Sequence, residues 1–150
     1  MPATFDAQKN KIFKEILITW FRNDPAAQDE IIKTEKALKK EGIIRAGLPN
    51  DYTSFLLLTN GGEGWVGSRY VSLWRIEEVQ ALNKSYQIDH YLPGIVGVGT
   101  DGGGQCYALD FRYSSINPTL VQVPLGDLGI VSLVLIGESF GDGLRELLKT

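Results

Sequence analysis

The chain begins with hydrophobic residues at helical spacing. A single apolar stripe is formed by residues three or four positions apart, which predicts a first amphipathic helix: Phe13, Ile16, Leu17, Trp20 and Phe21. After it, Asp24 and Pro25 predict the start of a second helix, with Asp24 as its N-cap and Pro25 at its first position. Gly42 follows the expected end of that helix, where glycine is favoured.

A short third helix is predicted after Leu48-Pro49, with Tyr52 and Phe55 on its buried side. Asn60-Gly61-Gly62 ends it, because these residues accept positive φ angles at little cost. Beyond Gly64 the hydrophobic period changes towards two, which is typical of strands.

The second half of the chain predicts mostly strands. The predicted strands cover the alternating residues 70–74 and the segments Gly94–Val98, Gln105–Arg112, Leu120–Val123 and Val131–Leu135. In Gln105–Arg112, Tyr107 and Leu109 lie on one face, and Cys106 and Ala108 on the other. Two further helices are predicted: one at the C-terminus, and one at Arg75–Tyr86 with Ile76, Val79, Leu82 and Tyr86 on one face. Helices first and strands later, without regular alternation, predict one α+β domain.

Composition excludes several kinds of site. A single cysteine and a single histidine in 150 residues rule out an internal disulfide framework and a Cys/His zinc cluster. We therefore expect no cofactor and no metal. The formal net charge of −3 does not favour nucleic acid as a direct partner. Without a recognisable secretory signal or an apolar run of membrane-spanning length, we expect a cytoplasmic protein that does not enter a membrane.

The charge is unevenly distributed. Residues 1–45 contain nine basic and seven acidic groups, whereas residues 46–150 contain six basic and eleven acidic ones. The local balance is thus +2 (9 − 7) and −5 (6 − 11). The simpler interpretation of this uneven charge is a solvated helical face near the N-terminus. The alternative is an acidic surface in the later part that faces a partner.

Three patterns resemble catalytic motifs but lack the context that they need. Gly97 to Gly102 matches G-x-G-x-x-G, yet a strand rather than a helix is predicted after it, which favours a hairpin turn. Gly137 to Gly141 matches G-x-S-x-G, yet no histidine follows, and Ser139 is better interpreted as a helix N-cap. Cys106, His90 and an aspartate would be the members of a thiol triad, yet a lone cysteine beside Ala108 is better interpreted as a packing residue of a strand.

Aromatic residues cluster at Trp65, Tyr70 and Trp74. We expect at least one of the tryptophans to pack in the core. An exposed aromatic residue in this stretch would be a candidate anchor for a protein partner, because tryptophan and tyrosine are enriched at binding hot spots.

Several of these features together resemble the SUKH superfamily, which includes the fungal Smi/Knr-type regulators of cell-wall assembly. The stretch from Leu48 to Leu56 resembles its L-P-x-x-Y-x-x-F-L motif, and Asn60 to Gly64 its N-G-G-E-G motif. Further motifs follow in the family's order, and the positions that carry the resemblance are Leu48, Pro49, Tyr52, Gly61, Gly62, Trp74, Gly99, Asp101, Gly102, Asp110, Ser139 and Phe140. We expect these positions to be mainly structural.

The resemblance implies a central, mostly antiparallel sheet flanked by N-terminal, middle and C-terminal helices. It divides the single domain into an N-terminal helical segment, 1–23, packed on a SUKH-like domain, 24–150. It also implies a protein-binding role without catalysis: bacterial members are mainly immunity proteins that neutralise toxins, often nucleases, and fungal members are regulatory scaffolds.

Our leading hypothesis is therefore an immunity protein that covers a toxin domain, possibly a basic nuclease. The alternative is a regulatory adaptor. The candidate partner-contacting residues are Glu63, Trp65, Glu77, Glu78, Asp89 and Asp101.

Overall fold

The computed structural model describes residues 11–150. Its helices are α1 (residues 11–18), α2 (Gln28–Lys40), α3 (Asn50–Leu58), α4 (Ile76–Ser85), α5 (Ile88–Tyr91) and α6 (Phe140–Leu148). Its strands are β1 (Trp20–Phe21), β2 (Gly62–Val66), β3 (Arg69–Leu73), β4 (Ile95–Thr100), β5 (Gln105–Asp110), β6 (Thr119–Pro124) and β7 (Val134–Gly137). The predicted α+β class and single domain are confirmed. The first ten residues of the predicted N-terminal segment 1–23 lie outside the described residues.

The strands form one sheet in sequence order, from β1 at one edge to β7 at the other. Every strand pair in the described chain is antiparallel, so the expectation of a mostly antiparallel sheet is met throughout. This up-and-down order combines short connections, which join β2 to β3 and the strands from β4 to β7, with two helical ones: α2 and α3 lie between β1 and β2, and α4 and α5 lie between β3 and β4. It places β1–β3 at one end of the sheet and β6–β7 at the other.

Each face of the sheet carries a hydrophobic cluster, and β5 contributes to both. Tyr107 and Leu109 belong to the larger cluster, which includes the buried residues of α1, α2, α3 and α6. Cys106 and Ala108 belong to the smaller cluster, which includes Ile88 of α5. The alternation predicted for this strand is thereby confirmed.

The first predicted helix is too long. The helical residues stop at 18, and Trp20 and Phe21 form β1 beside β2. The Trp20 indole donates a hydrogen bond of 3.0 Å to the carbonyl of Gly61, while Phe21 faces outwards. The helical spacing of these residues was fortuitous, since pairing with β2 and the buried indole bond favour an extended backbone here.

The predicted start of the second helix is also wrong. The helix begins at Gln28, with Ala27 as its N-cap and no side-chain cap. The backbone before it is bound to the end of α3: the Asn60 amide donates to the Asp24 carbonyl, and the Ala26 amide donates to the Leu56 carbonyl. These bonds hold Asp24 and Pro25 outside the helix.

Two later elements also differ from prediction. The strand predicted at Val131–Leu135 is a 3-10 turn, Ile130–Ser132, followed by β7 at Val134–Gly137. In α4, Ile76 and Val79 are buried as predicted, but Asn83 takes the next buried position and Tyr86 is exposed. Hydrophobicity alone could not indicate a buried asparagine.

Candidate protein-interaction surface

One face of the sheet is covered over only half of its width. The register aligns Phe21 with Glu63, Glu63 with Ser72, Ser72 with Thr100, and Thr100 with Cys106. Directly paired residues lie on the same face of an antiparallel sheet, so this row crosses one face from β1 to β5. Cys106 is buried in the cluster that contains Ile88 of α5, whereas Phe21 and Glu63 are exposed.

We call the uncovered part the open face, defined by the outward residues of β1–β3: Phe21, Glu63, Trp65, Tyr70 and Ser72. Two of its aromatic side chains are largely accessible, with exposed fractions of 72% for Phe21 and 59% for Trp65, and Tyr70 is half-buried. Exposed aromatic residues on rigid strands are well suited to anchor a protein partner, because little conformational entropy is lost when they are covered.

Three side chains of the open face support one another. The Trp65 and Tyr70 rings pack edge to face, with centroids 5.3 Å apart. The Tyr70 hydroxyl donates a short hydrogen bond to the carboxylate of Glu63. This bond raises the pKa of the Tyr70 phenol, because it stabilises the protonated hydroxyl beside an anion. Glu63 and Trp65, both predicted contact residues, are thereby held in one place.

The turn that contains Asp101 lies beside the same aromatic pair. A Cβ atom on Gly102 would be 3.2 Å from Cδ2 of Tyr70. Within the turn, one carboxylate oxygen of Asp101 accepts hydrogen bonds from the amides of Gly103 and Gln105, at 2.8 and 3.1 Å. The structure therefore places the turn that contains Asp101 beside Tyr70, and one oxygen of Asp101 stabilises that turn.

A groove of about 330 Å³ adjoins the open face and reaches Glu78. It is lined by Phe21, Arg22, Asn23, Gly62, Glu63, Ser72, Leu73, Trp74, Arg75 and Glu78. Two acidic and two basic residues thus occur along it. The charge of the groove is mixed, in contrast to the acidic balance of residues 46–150 as a whole.

Two predicted contact residues, Glu77 and Asp89, do not line this groove. Glu77 is bound by the Asn60 side-chain amide, at 3.0 and 3.1 Å to its two oxygens, while Asn60 Oδ1 accepts from the Ile76 amide at the start of α4. Asn60 therefore caps α4, and Glu77 completes that arrangement. Asp89 lies on α5, which packs on α4 and β4.

Most of the motif positions have structural roles. Tyr52 and Phe140 pack in the main cluster with ring centroids 5.2 Å apart.

Gly61 and Gly62 have φ angles of 73° and 106°, where any larger residue would be strained and would collide with Leu73 or Trp20. Other structural positions are Leu48, buried; Pro49, before α3; Gly99, against β3; Gly102, with positive φ; and Asp110, paired with Arg112. Trp74 is partly buried and stacks on Tyr86, with centroids 6.0 Å apart.

The motifs that resemble catalytic sequences form a turn, a helix cap and a buried strand position. Gly99 to Gly104 ends β4 and turns into β5. The Ser139 hydroxyl accepts a hydrogen bond of 3.1 Å from the Asp142 amide, so the predicted N-cap of α6 is confirmed. Cys106 is fully buried, and burial raises the pKa of its thiol to about 12. These positions agree with the structural interpretation of each motif.

Among residues 11–150, no three histidine, cysteine, aspartate or glutamate side chains cluster as potential metal ligands. None of the helices in that range is long and apolar enough to cross a bilayer.

The exposure of Phe21 is not predicted by the sequence. Helical spacing predicts Phe21 on the apolar stripe of a helix, whereas the strand places Trp20 inwards and Phe21 outwards. A two-residue strand is too short for its period to be detected in the sequence.

Comparison with known proteins identifies the family. A search of curated proteins finds no significant match. The model of the SMI1/KNR4 family (SUKH-1), however, matches residues 25–146, which includes α2 to β7 and most of α6. The chain therefore belongs to the SMI1/KNR4 family (SUKH-1).

Proposed function

We propose that this protein is a non-enzymatic immunity protein that binds and neutralises a toxin domain through the open face and the adjoining groove. The observation that carries the proposal is the uncovered β1–β3 half of a sheet face whose central strands are covered by the cluster that contains α5. Family membership supports a protein-binding role.

The open face has the composition of a binding hot spot. Phe21 and Trp65 supply exposed aromatic area, and Tyr70 fixes both Trp65 and Glu63. Hot-spot energy is concentrated in such aromatic residues, surrounded by polar groups that exclude water at the rim. Truncating Trp65 should therefore weaken the complex more than truncating any single carboxylate nearby.

Charge favours a basic partner. A nuclease needs a basic cleft to hold phosphates, and carboxylates that cover such a cleft increase the rate of association and its selectivity. Glu63, Glu78 and Asp101 are in or beside the proposed contact surface. Arg22 and Arg75 line the groove as well, so we expect carboxylates of the partner opposite them.

The absence of catalysis is part of the proposal. Ser139 caps a helix, Cys106 is buried, and the lone histidine His90 packs edge to face against Tyr91 with centroids 4.7 Å apart. Ser139 and Cys106 therefore have structural roles, whereas His90 is exposed on α5. Inhibition by covering a toxin requires none of them to react.

The test is protection combined with binding. The toxin-like genes encoded beside this chain are expressed with and without it, and each pair is assayed for cell survival and for complex formation by isothermal titration calorimetry. Protection with formation of a stoichiometric complex is expected for one of them. If no neighbouring toxin is bound or neutralised and the protein captured from source cells is an endogenous signalling protein, the regulatory-adaptor alternative replaces this proposal.

Matched variants test the surface. Trp65→Ala should weaken toxin binding by about 2 kcal/mol or more, roughly thirtyfold. Tyr113→Ala is the control, because Tyr113 is also an exposed aromatic residue but lies in the loop between β5 and β6. Equal affinities for these two variants would contradict the assignment of the open face.

A further inference from the structure

The two edges of the sheet differ in how they are protected. β1 is only two residues long, and it is followed closely by charged residues and a proline: Arg22, Asp24 and Pro25. Short edge strands, charges and prolines prevent strands of other molecules from pairing. β7 is the opposite edge, and among residues 11–150 only β6 pairs with it.

β7 is twice as long as β1 and lacks the charges and the proline. From Leu128 to Gly137 the chain has neither a charged residue nor a proline. Around and within β7, Ile130, Val131, Val134 and Leu135 are all more than half exposed, Val131 almost completely.

Aliphatic side chains flank both faces of this edge. Val134 is paired with Gln122 and Leu135 with Val121, so the two side chains lie on opposite faces of the sheet. A further strand placed beside β7 would therefore meet apolar groups on both sides of its backbone. A second copy of β7 meets this condition, because antiparallel pairing about a two-fold axis would bring the same aliphatic side chains together on each face.

We propose that two copies of this protein dimerise by antiparallel pairing of their β7 strands about a two-fold axis, which joins their sheets into one. The uncharged edge allows a second copy of this acidic chain to approach without like-charge repulsion. Each chain has a net charge of −3, and self-association is favoured where copies meet without opposing their carboxylates. The uncharged segment from Leu128 to Gly137 provides such a place, whereas a partner chosen by charge finds nothing there to bind.

The size of the contact sets the expected strength. Four exposed aliphatic residues and one short strand from each copy bury less than the roughly 1,200–2,000 Å² of a standard stable interface. Two-fold symmetry uses the same patch twice, and strand pairing satisfies backbone groups. We therefore expect a reversible dimer with a dissociation constant of about micromolar order.

Sedimentation velocity of the full chain tests this directly. The weight-average mass should rise from 16.6 kDa towards twice that value with increasing concentration. Leu135→Lys should weaken dimerisation by at least about tenfold, because like charges are brought together at the axis. Ile116→Lys is the control, since Ile116 is similarly exposed but lies in the β5–β6 loop, and it should leave the dissociation constant unchanged.

A cross-linking experiment covers the case in which a charged variant is poorly folded. Leu135→Cys introduces the only accessible thiol, because Cys106 is buried. Mild oxidation should join two copies through this residue, and Ile116→Cys should remain largely uncross-linked. A chain that stays monomeric at millimolar concentration, or that cross-links equally at both sites, overturns the proposal.

These tests need no toxin. Loss of toxin binding by Trp65→Ala concerns the opposite end of the sheet and leaves dimerisation unaffected, so the two proposals can fail separately.

Discussion

The side-chain amide of Asn83 forms a two-way hydrogen-bonded pair with the peptide of Gly97. Its Nδ2 donates to the Gly97 carbonyl and its Oδ1 accepts from the Gly97 amide, both at 2.8 Å. Asn83 is 1% exposed on α4, and Gly97 lies in β4 where the register with β5 shifts. Strand β3 pairs with β4 only at Ser72 and Leu73. The backbone amide and carbonyl of Gly97 therefore have no strand partner on that side of β4, and the Asn83 side chain supplies their hydrogen bonds instead.

Asn83→Ala should lower the free energy of unfolding by about 2–3 kcal/mol. The substitution leaves a buried amide and a buried carbonyl of Gly97 without their partner, which is costlier than the loss of an exposed bond. Urea unfolding followed by circular dichroism measures the change. Lys84→Ala is the control on the same helix, since Lys84 makes only a surface ion pair with Glu41 and should cost less than about 1 kcal/mol. Equal losses for both variants would contradict this role of Asn83.

Tyr52→Phe should leave the protein as stable as before or stabilise it by up to about 1 kcal/mol. The Tyr52 hydroxyl is buried and has no hydrogen-bond partner among the described residues, so its removal abolishes a desolvation cost without breaking a bond. Burial raises the pKa of this phenol for the same reason. Thermal unfolding of Tyr52→Phe and Phe140→Ala provides the comparison, because the second variant empties the neighbouring ring position and should cost about 3–5 kcal/mol. A Tyr52→Phe loss of about 1 kcal/mol or more would instead indicate a hydrogen bond made by the hydroxyl.

Local signals in the sequence predicted much of the fold. Glycines with positive φ after α2 and α3, the Ser139 cap and the alternation of β5 depend on a few adjacent residues, and each lies where it was predicted. The predictions that are wrong concern residues whose conformation depends on long-range contacts. Trp20 forms a strand because its indole reaches Gly61, and Pro25 stays outside α2 because the flanking backbone binds α3. Contacts between residues so far apart in the sequence cannot be predicted from a local pattern of residues.

The candidate surface was predictable only in part. Glu63 and Trp65 were identified from residue type, and strand alternation places them on one face. Which face is left uncovered depends on where α5 packs, and this is a property of the assembled domain. The same reason separates Asp89 from the other predicted contact residues.

Ser139→Ala should destabilise the protein by about 1 kcal/mol without affecting any binding at the open face. The hydroxyl satisfies the amide of Asp142 in the first turn of α6, and an alanine at this position leaves it unpaired. Ser139→Thr should retain most of the stability, since its hydroxyl can accept the same bond. Chemical denaturation of the three proteins measures the order. A loss of function in Ser139→Ala that exceeds its loss of folded protein would instead point to a chemical role for the serine.

Alkaline pH should destabilise the protein through Cys106. Burial raises the pKa of its thiol from 9.0 to about 12, because the thiolate is poorly solvated inside the smaller cluster. The native state therefore keeps a proton that the unfolded chain releases. This contribution is fully present below pH 9 and is lost as the pH rises towards 12, with a slope of up to about 1.4 kcal/mol per pH unit.

Unfolding free energies of the unmodified protein and of Cys106→Ala, measured between pH 8 and about 11, should converge as the pH rises. A constant difference would mean that the thiol ionises equally in both states, and rapid reaction of the native thiol with a disulfide reagent at pH 8 would contradict its burial.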